Sequence, residues 1–181
     1  RKAGRGTEVK RQTERTQFYL NRSFTHQMAE MGRKAHSEVL QSSRGFIDPT
    51  NAPEALHHKT GAPYFYLIRL RFGDSEPIGL QTSTVITELC PGLENYDFNR
   101  ESFYDILARD YKLVIAKIEN TISATTADDL KAELLEIAEG DPLLVVTSLS
   151  YVDNGEVIEY TTSHYRADRY VYSATDRYIA G

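Results

Sequence analysis

Residues 64–87 read YFYLIRLRFGDSEPIGLQTSTVIT, and this stretch decides the fold. Tyr64, Tyr66, Ile68, Leu70 and Phe72 alternate with Phe65, Leu67, Arg69 and Arg71, the period of two that a strand requires. Gly73-Asp74-Ser75-Glu76-Pro77 supplies turn chemistry, and a second strand is expected over about 78–87. Length and turn together make this a β-hairpin.

The same pattern recurs toward the C-terminus. Strands are expected over about 143–152 and 156–166, joined by Asp153-Asn154-Gly155, a strong hairpin turn. A last short strand is expected over 169–173. Between the hairpins the spacing predicts a helix over about 101–110, with Phe103, Ile106 and Leu107 on one face, and a strand over about 112–123. Another helix is expected to open near Thr126, three residues before Asp129 in a capping-box arrangement, and to stop at Gly140-Asp141-Pro142. Toward the N-terminus, Ser23 is a candidate N-cap for a short helix over 23–32, where Phe24, Met28 and Met31 recur at near-helical spacing and Gly32 ends the run. A first strand is expected over 36–42. Residues 45–61 read as loop, with a helical turn after Pro53. Two hairpins joined through helix, strand and helix predict an α+β fold, a mostly antiparallel sheet flanked by helices.

The 181 residues are 40% hydrophobic and 26% charged, an ordinary globular composition. The single cysteine, Cys90, allows no internal disulfide, so a reducing compartment and a cytoplasmic location are expected. No apolar run reaches the length of a membrane span. The net charge of −5 is uneven: residues 1–15 carry six basic and two acidic side chains, and the remainder carries 15 basic and 24 acidic. The acidic body repels nucleic acid on average, whereas the basic tail is either a solvated linker or an element that favours it.

Most chemical motifs are absent. There is no glycine-rich phosphate loop, and His57 and His58 are adjacent rather than spaced as metal ligands. Cys90 precedes a proline with no histidine nearby in sequence. No catalytic residue, metal or cofactor is therefore expected. One constellation remains: Arg69 and Arg71, two apart in an apolar strand, share a face. That face is either the solvent side of the sheet or a surface that meets an anion, for which forked guanidinium donors are suited. Gln81 lies on the return strand. Ser102 and Tyr104 open the 101–110 helix, where the alternatives are capping and core packing. Glu159 and Tyr165, six apart, share a face of the last long strand, either as a surface pair or as part of a site.

These segments, in this order, resemble the UTRA domain of GntR/HutC-family bacterial transcription regulators. YLIRLRFGDSEPIGLQTSTV (66–85) resembles the family's Arg-x-Arg strand, Glu-Pro turn and return strand. CPGL and ESFYDILARDY (90–93 and 101–111) resemble its helix opening with Ser-x-Tyr. AEGDPLLVVTSLSYVDNGEVIEYTTSHYRADRYVY (138–172) resembles its C-terminal half, and RSFTHQMAEMGRKAHSEVL (22–40) its first helix. GRGTEV (4–9) is similar to the wing tip of a GntR winged-helix domain, although Glu8 stands where an aromatic residue is usual.

The resemblance implies that residues 1–15 are the end of a wing and a linker, and that 16–181 form the effector-binding domain. It also implies a chorismate-lyase-like fold, homodimers, a repressor-type role, and contact with operator DNA only through a winged helix-turn-helix domain absent from this chain. In phosphosugar-sensing members the arginines and the Ser-x-Tyr pair hold a phosphate. That carries onto Arg69, Arg71, Ser102 and Tyr104, with Ser23 joining them. Glu159 and Tyr165 match the residues that grip the rest of the ligand, and Gln81 takes the place of a strand acid. The expected partner is a small anionic effector such as a phosphorylated sugar. Two alternatives stand beside it: a chorismate-lyase-like enzyme, and a dimerisation module with a vestigial pocket.

Overall fold

The computed structural model of the chain describes residues 16–18, 20 and 22–172. Its centre is a six-stranded, wholly antiparallel sheet in the order β2-β3-β4-β7-β6-β5. These strands are β2 (Ala35–Phe46), β3 (Pro63–Gly73), β4 (Glu76–Ile86), β5 (Ile115–Thr126), β6 (Pro142–Val152) and β7 (Val157–Arg166). A separate parallel ribbon pairs β1 (Thr16–Phe18) with β8 (Tyr170–Tyr172). Both expected hairpins form, with Asp74 (φ 56°) and Gly155 (φ 83°) taking the left-handed conformation that the tight reversals need. The edge strands β2 and β5 are each 12 residues long, and each carries a bulge, at Val39/Gln41 and Ile115/Lys117. Bulges on long edges twist them away from pairing with other chains.

Helix α1 (Phe24–Glu30) is capped by Ser23, whose side chain accepts from the His26 N–H, and buries Phe24, Gln27 and Met28. The i, i+3, i+4 spacing of those three residues forms the stripe that faces the sheet. Helix α2 (Phe103–Ile106) runs on as a π turn (Leu107–Tyr111). Together with the preceding loop, α2 closes the largest core over the same sheet face, with Phe65, Leu67 and Val85 beneath Cys90, Leu93, Phe98, Phe103 and Ile106. On the opposite face, α3 (Asp129–Leu135) packs through Ala132 and Leu135 on Leu70 and Leu143. The 3₁₀ turn Glu54–Lys59 packs there through Leu56 on Ile86 and Val157.

Several boundaries differ from those expected. The last helix is capped by Asp128, which accepts from the Lys131 N–H, and Thr126 is the final residue of β5. Thr126 is held in the sheet by its pairing with Pro142. The β5 strand starts at Ile115 rather than near 112, because the helix before it continues to Tyr111 and reverses at Lys112 (φ 57°). The first long strand extends to Phe46, past Gly45 in the expected loop, since β3 offers a pairing partner along its whole length. Residues 1–15, expected to be a wing end and linker, lie outside the described residues.

Register sets which side chains share the helix-covered face. One cross-strand row holds Arg69, Gln81, Ser163 and Val146; the next holds Leu67, Ser83, Thr161 and Ser148; a third holds Phe65, Val85, Glu159 and Ser150. Gly79 lies opposite Tyr165, and a Cβ placed there would sit 2.6 Å from the tyrosine ring. The missing side chain is what lets this ring lie across the strand. Gly79→Ala should destabilise the chain by about 1–3 kcal/mol through overpacking, as read from urea denaturation midpoints.

Candidate functional site

Beneath α1 and α2 the sheet face is polar where a core would ordinarily be apolar. Arg69 and Arg71 are 3% and 7% exposed, and Glu159 is 3% exposed. These charges surround a cavity of about 80 Å³, and all eight residues singled out in the sequence line it. The solvent-side reading of the arginine face is thereby excluded.

Each arginine is held by one neighbouring strand. Arg69 Nη2 donates to Gln81 Oε1 at 2.8 Å, and Gln81 Nε2 donates onward to Ser163 Oγ at 3.2 Å, so the bonds run along a single cross-strand row. Arg71 Nη1 donates to Ser37 Oγ on β2 at 2.9 Å. Aromatic rings occupy the remaining sides: the Arg71 guanidinium lies 4.3 Å from the centre of the Phe24 ring, and that of Arg69 lies 5.6 Å from Phe98. These contacts leave Arg69 Nε, Arg69 Nη1 and Arg71 Nε buried without a hydrogen-bond partner. An unsatisfied buried donor costs about 1–3 kcal/mol, so three on two side chains that line one cavity mark a place suited to an acceptor. Burial holds both arginines below their ordinary pKa, and the charge of Arg69 lowers Arg71 further.

The opposite wall is rich in hydroxyl groups. Tyr104, on α2, donates from its hydroxyl to Glu159 Oε2 at 3.2 Å and lies 3.0 Å from Ser150 Oγ. Burial raises Glu159 above the usual carboxylate range, and Arg69 opposes the shift. Burial likewise raises Tyr104 and Tyr165, so both phenols stay protonated. Ser102 stands at the N-cap of α2 but makes no side-chain capping bond, whereas the Ser23 hydroxyl is engaged in capping α1. The cavity thus joins two buried guanidinium groups to a single carboxyl group and several hydroxyls, an arrangement suited to an oxyanion carried on a polar body.

Sequence reasoning missed Ser37, Gln27 and Phe24, which arrive from β2 and α1. No local signal marks them, because their place depends on strand pairing and on where α1 docks. Thr161 and Ser163 were within reach, since period two puts them on the same face of β7 as Glu159 and Tyr165. Cys90 is buried, donates to the Ile86 carbonyl and has its thiol pushed up to about 12 by burial, which makes it an inert core residue. Among the described residues no cluster of His, Cys, Asp and Glu has the disposition of a metal site.

Comparison with known proteins returns one family. The UTRA domain model matches residues 30–171. Over 145 residues the chain is 30% identical to the HTH-type transcriptional regulator GmuR of Bacillus subtilis, covering 80% of this chain and 60% of GmuR. It is 26% identical over 178 residues to the HTH-type transcriptional repressor NagR of the same organism, covering 93% of this chain and 69% of NagR. The crystal structure of the effector domain of PhnF from Mycobacterium smegmatis superposes with a TM-score of 0.79 at 24% identity, covering 90% of this chain and all of that one. The chain therefore spans about three-fifths of the length of GmuR and rather more of NagR.

Two outcomes follow from the electrostatics. Arg71→Met, which replaces a buried, under-partnered charge by a flexible apolar chain, should leave the ligand-free protein as stable as wild type or raise it by about 1 kcal/mol or more in urea denaturation. Glu159 keeps its proton in the folded chain at pH values where the unfolded chain, near about 4.3, has lost it. The resulting stability is full below the unfolded value and is lost as pH rises through the raised folded value. Glu159→Gln should therefore gain on wild type as pH rises above the unfolded value of about 4.3, read as a widening gap between denaturation midpoints.

Proposed function

This chain belongs to the UTRA domain family, and on that premise we propose that it is the effector-sensing, dimerising part of a GntR/HutC-type transcription regulator. Its ligand is a small organic anion, best matched by a phosphorylated sugar, with the oxyanion seated on Arg69 and Arg71 and within reach of Ser102 and Tyr104. Glu159, Tyr165 and Gln81 bind the polar remainder, and Ser23 closes over it from the start of α1. Operator DNA is contacted through a winged helix-turn-helix domain outside these 181 residues. The observation that carries this reading is the pair of buried arginines that line one cavity and keep three nitrogens without a hydrogen-bond partner.

The cavity volume adds a requirement. About 80 Å³ holds an oxyanion but not a sugar ring, and pockets for drug-sized ligands occupy roughly 300–1,000 Å³. Binding of a whole phosphosugar therefore displaces α1, whose Phe24 stacks on Arg71 and shares an apolar cluster with Tyr165 and Tyr170. Tyr170 belongs to β8, which pairs with β1, so movement of α1 is passed to the segment leading back toward the DNA-binding domain. The coupling is the difference in effector affinity between the two poses. A typical coupling of about 1–3 kcal/mol changes operator affinity roughly 5–150-fold. We read the chain as regulatory rather than catalytic: its named relatives are transcription regulators, and the chorismate-lyase-like fold alone is weak ground for an enzyme.

Thermal unfolding with a panel of sugar phosphates, on wild type, Arg69→Ala and Arg71→Ala, tests the site. At about 100-fold excess over Kd a true ligand stabilises wild type by about 2.7 kcal/mol, a shift of several degrees, and both variants should lose most of it. Equal stabilisation of all three proteins would move the phosphate seat elsewhere.

A further inference from the structure

The arginine cavity has a neighbour. A groove of about 350 Å³ lies alongside it between α2 and β5, and the two hollows share Tyr104 and Ile118 as walls. A third link joins them: Ser148, which lines the arginine cavity, donates to Asn120, which lines the groove, at 2.7 Å. The two hollows are therefore adjacent, with Tyr104 and Ile118 standing between them. One of them, Tyr104, is anchored on the cavity side by Glu159 and Ser150.

The groove differs in chemistry from the cavity. Ala108, Leu113, Val114, Ile115, Ala116 and Ile118 make up most of its lining. Its shape comes from irregular backbone: the π turn Leu107–Tyr111, the left-handed Lys112, and the bulge that singles out Ala116 between Ile115 and Lys117. π turns of this kind recur at functional sites. The aliphatic lining is left open to water, and Val114 is 60% exposed. Exposure of that sort is disfavoured unless something apolar covers it.

We propose that this groove is a second subsite, which takes the apolar substituent of an organic phosphate whose anionic group lies on Arg69 and Arg71. The inference rests on the arginine-pocket reading and deepens it: besides its anionic group and polar body, the effector carries an alkyl, aryl or similarly apolar extension. The extension passes between Tyr104 and Ile118. Adjacency of the two hollows across Tyr104 and Ile118 is what selects this occupant over an unrelated partner.

Calorimetric titration of the 181-residue chain with inorganic phosphate, methyl phosphate and hexyl phosphate tests it, using wild type, Ala116→Trp, Val114→Glu and Arg71→Ala. A buried methylene is worth roughly three- to fourfold in affinity, so partial burial of the chain should make hexyl phosphate at least about tenfold tighter than methyl phosphate. Ala116→Trp fills the groove and Val114→Glu makes it repel an apolar chain. Each should remove most of that advantage while leaving methyl phosphate affinity unchanged. Equal affinities for the two esters in wild type, or an advantage undiminished in both groove variants, would overturn the second subsite while the arginine pocket stands. Should no phosphate bind, or should Arg71→Ala leave phosphate affinity untouched, the pocket reading itself fails and takes this proposal with it. A concentration-dependent dimer broken by Val114→Glu, with no preference for the hexyl ester, would assign the groove to a second copy and refute the subsite.

Discussion

Two guanidinium groups sit side by side on the buried face of one strand, and most of what is distinctive in this structure accommodates that fact. Like charges at alternate positions of β3 repel each other, and burial removes the water that would screen them. The fold answers with one hydrogen bond to each from an adjacent strand, through Gln81 and Ser37, and with the faces of Phe98 and Phe24. It does not answer fully, since three donor nitrogens stay unpartnered. A protein that kept such a pair for stability alone would be better served by two leucines. On the proposed reading an anion completes the site, and that accounts for the cost.

The antiparallel register turns this local problem into a pocket. Because cross-strand neighbours share a face, β3 and β7 on either side of β4 place Arg69 in one row with Gln81 and Ser163, and Glu159 in the row beyond Ser83 and Thr161. Positive charge collects at one end and hydroxyl groups with one protonatable carboxyl group at the other. The helices then complete the enclosure: α2 brings Tyr104 to Glu159, and α1 lays Phe24 over Arg71. The same ring of α1 shares a cluster with Tyr165 and Tyr170, so the lid of the pocket and the ribbon at the edge of the domain are packed as one unit.

Much of this was legible in the chain of residues. The alternation at 64–72 and the Asp-Asn-Gly turn at 153–155 announce the two hairpins, and both form. Placing Arg69 with Arg71, and Glu159 with Tyr165, needs only the period of a strand. Errors gathered where two local signals competed. Thr126 has the spacing of a helix cap, but pairing with Pro142 keeps it in β5, and Asp128 caps the helix instead. The strand after the 101–110 helix was expected from near 112, yet the π turn to Tyr111 and the reversal at Lys112 delay β5 to Ile115. The parallel pairing of β1 with β8 had no trace in sequence, because three-residue strands distant in the chain leave no periodicity to read.

Sequence by itself determined most of the longer elements, the hairpin partners and the sharing of a face by the two arginines, since these follow from side-chain periodicity and turn chemistry within a few residues. Only the tertiary structure decided that this face is the covered one, that Ser37, Gln27 and Phe24 come to meet it, and that a shallow apolar groove adjoins it behind Tyr104 and Ile118. The physical reason is that burial is a property of pairs of elements: a strand specifies which side chains point together, but only the helices docked against it decide whether water or protein lies on that side.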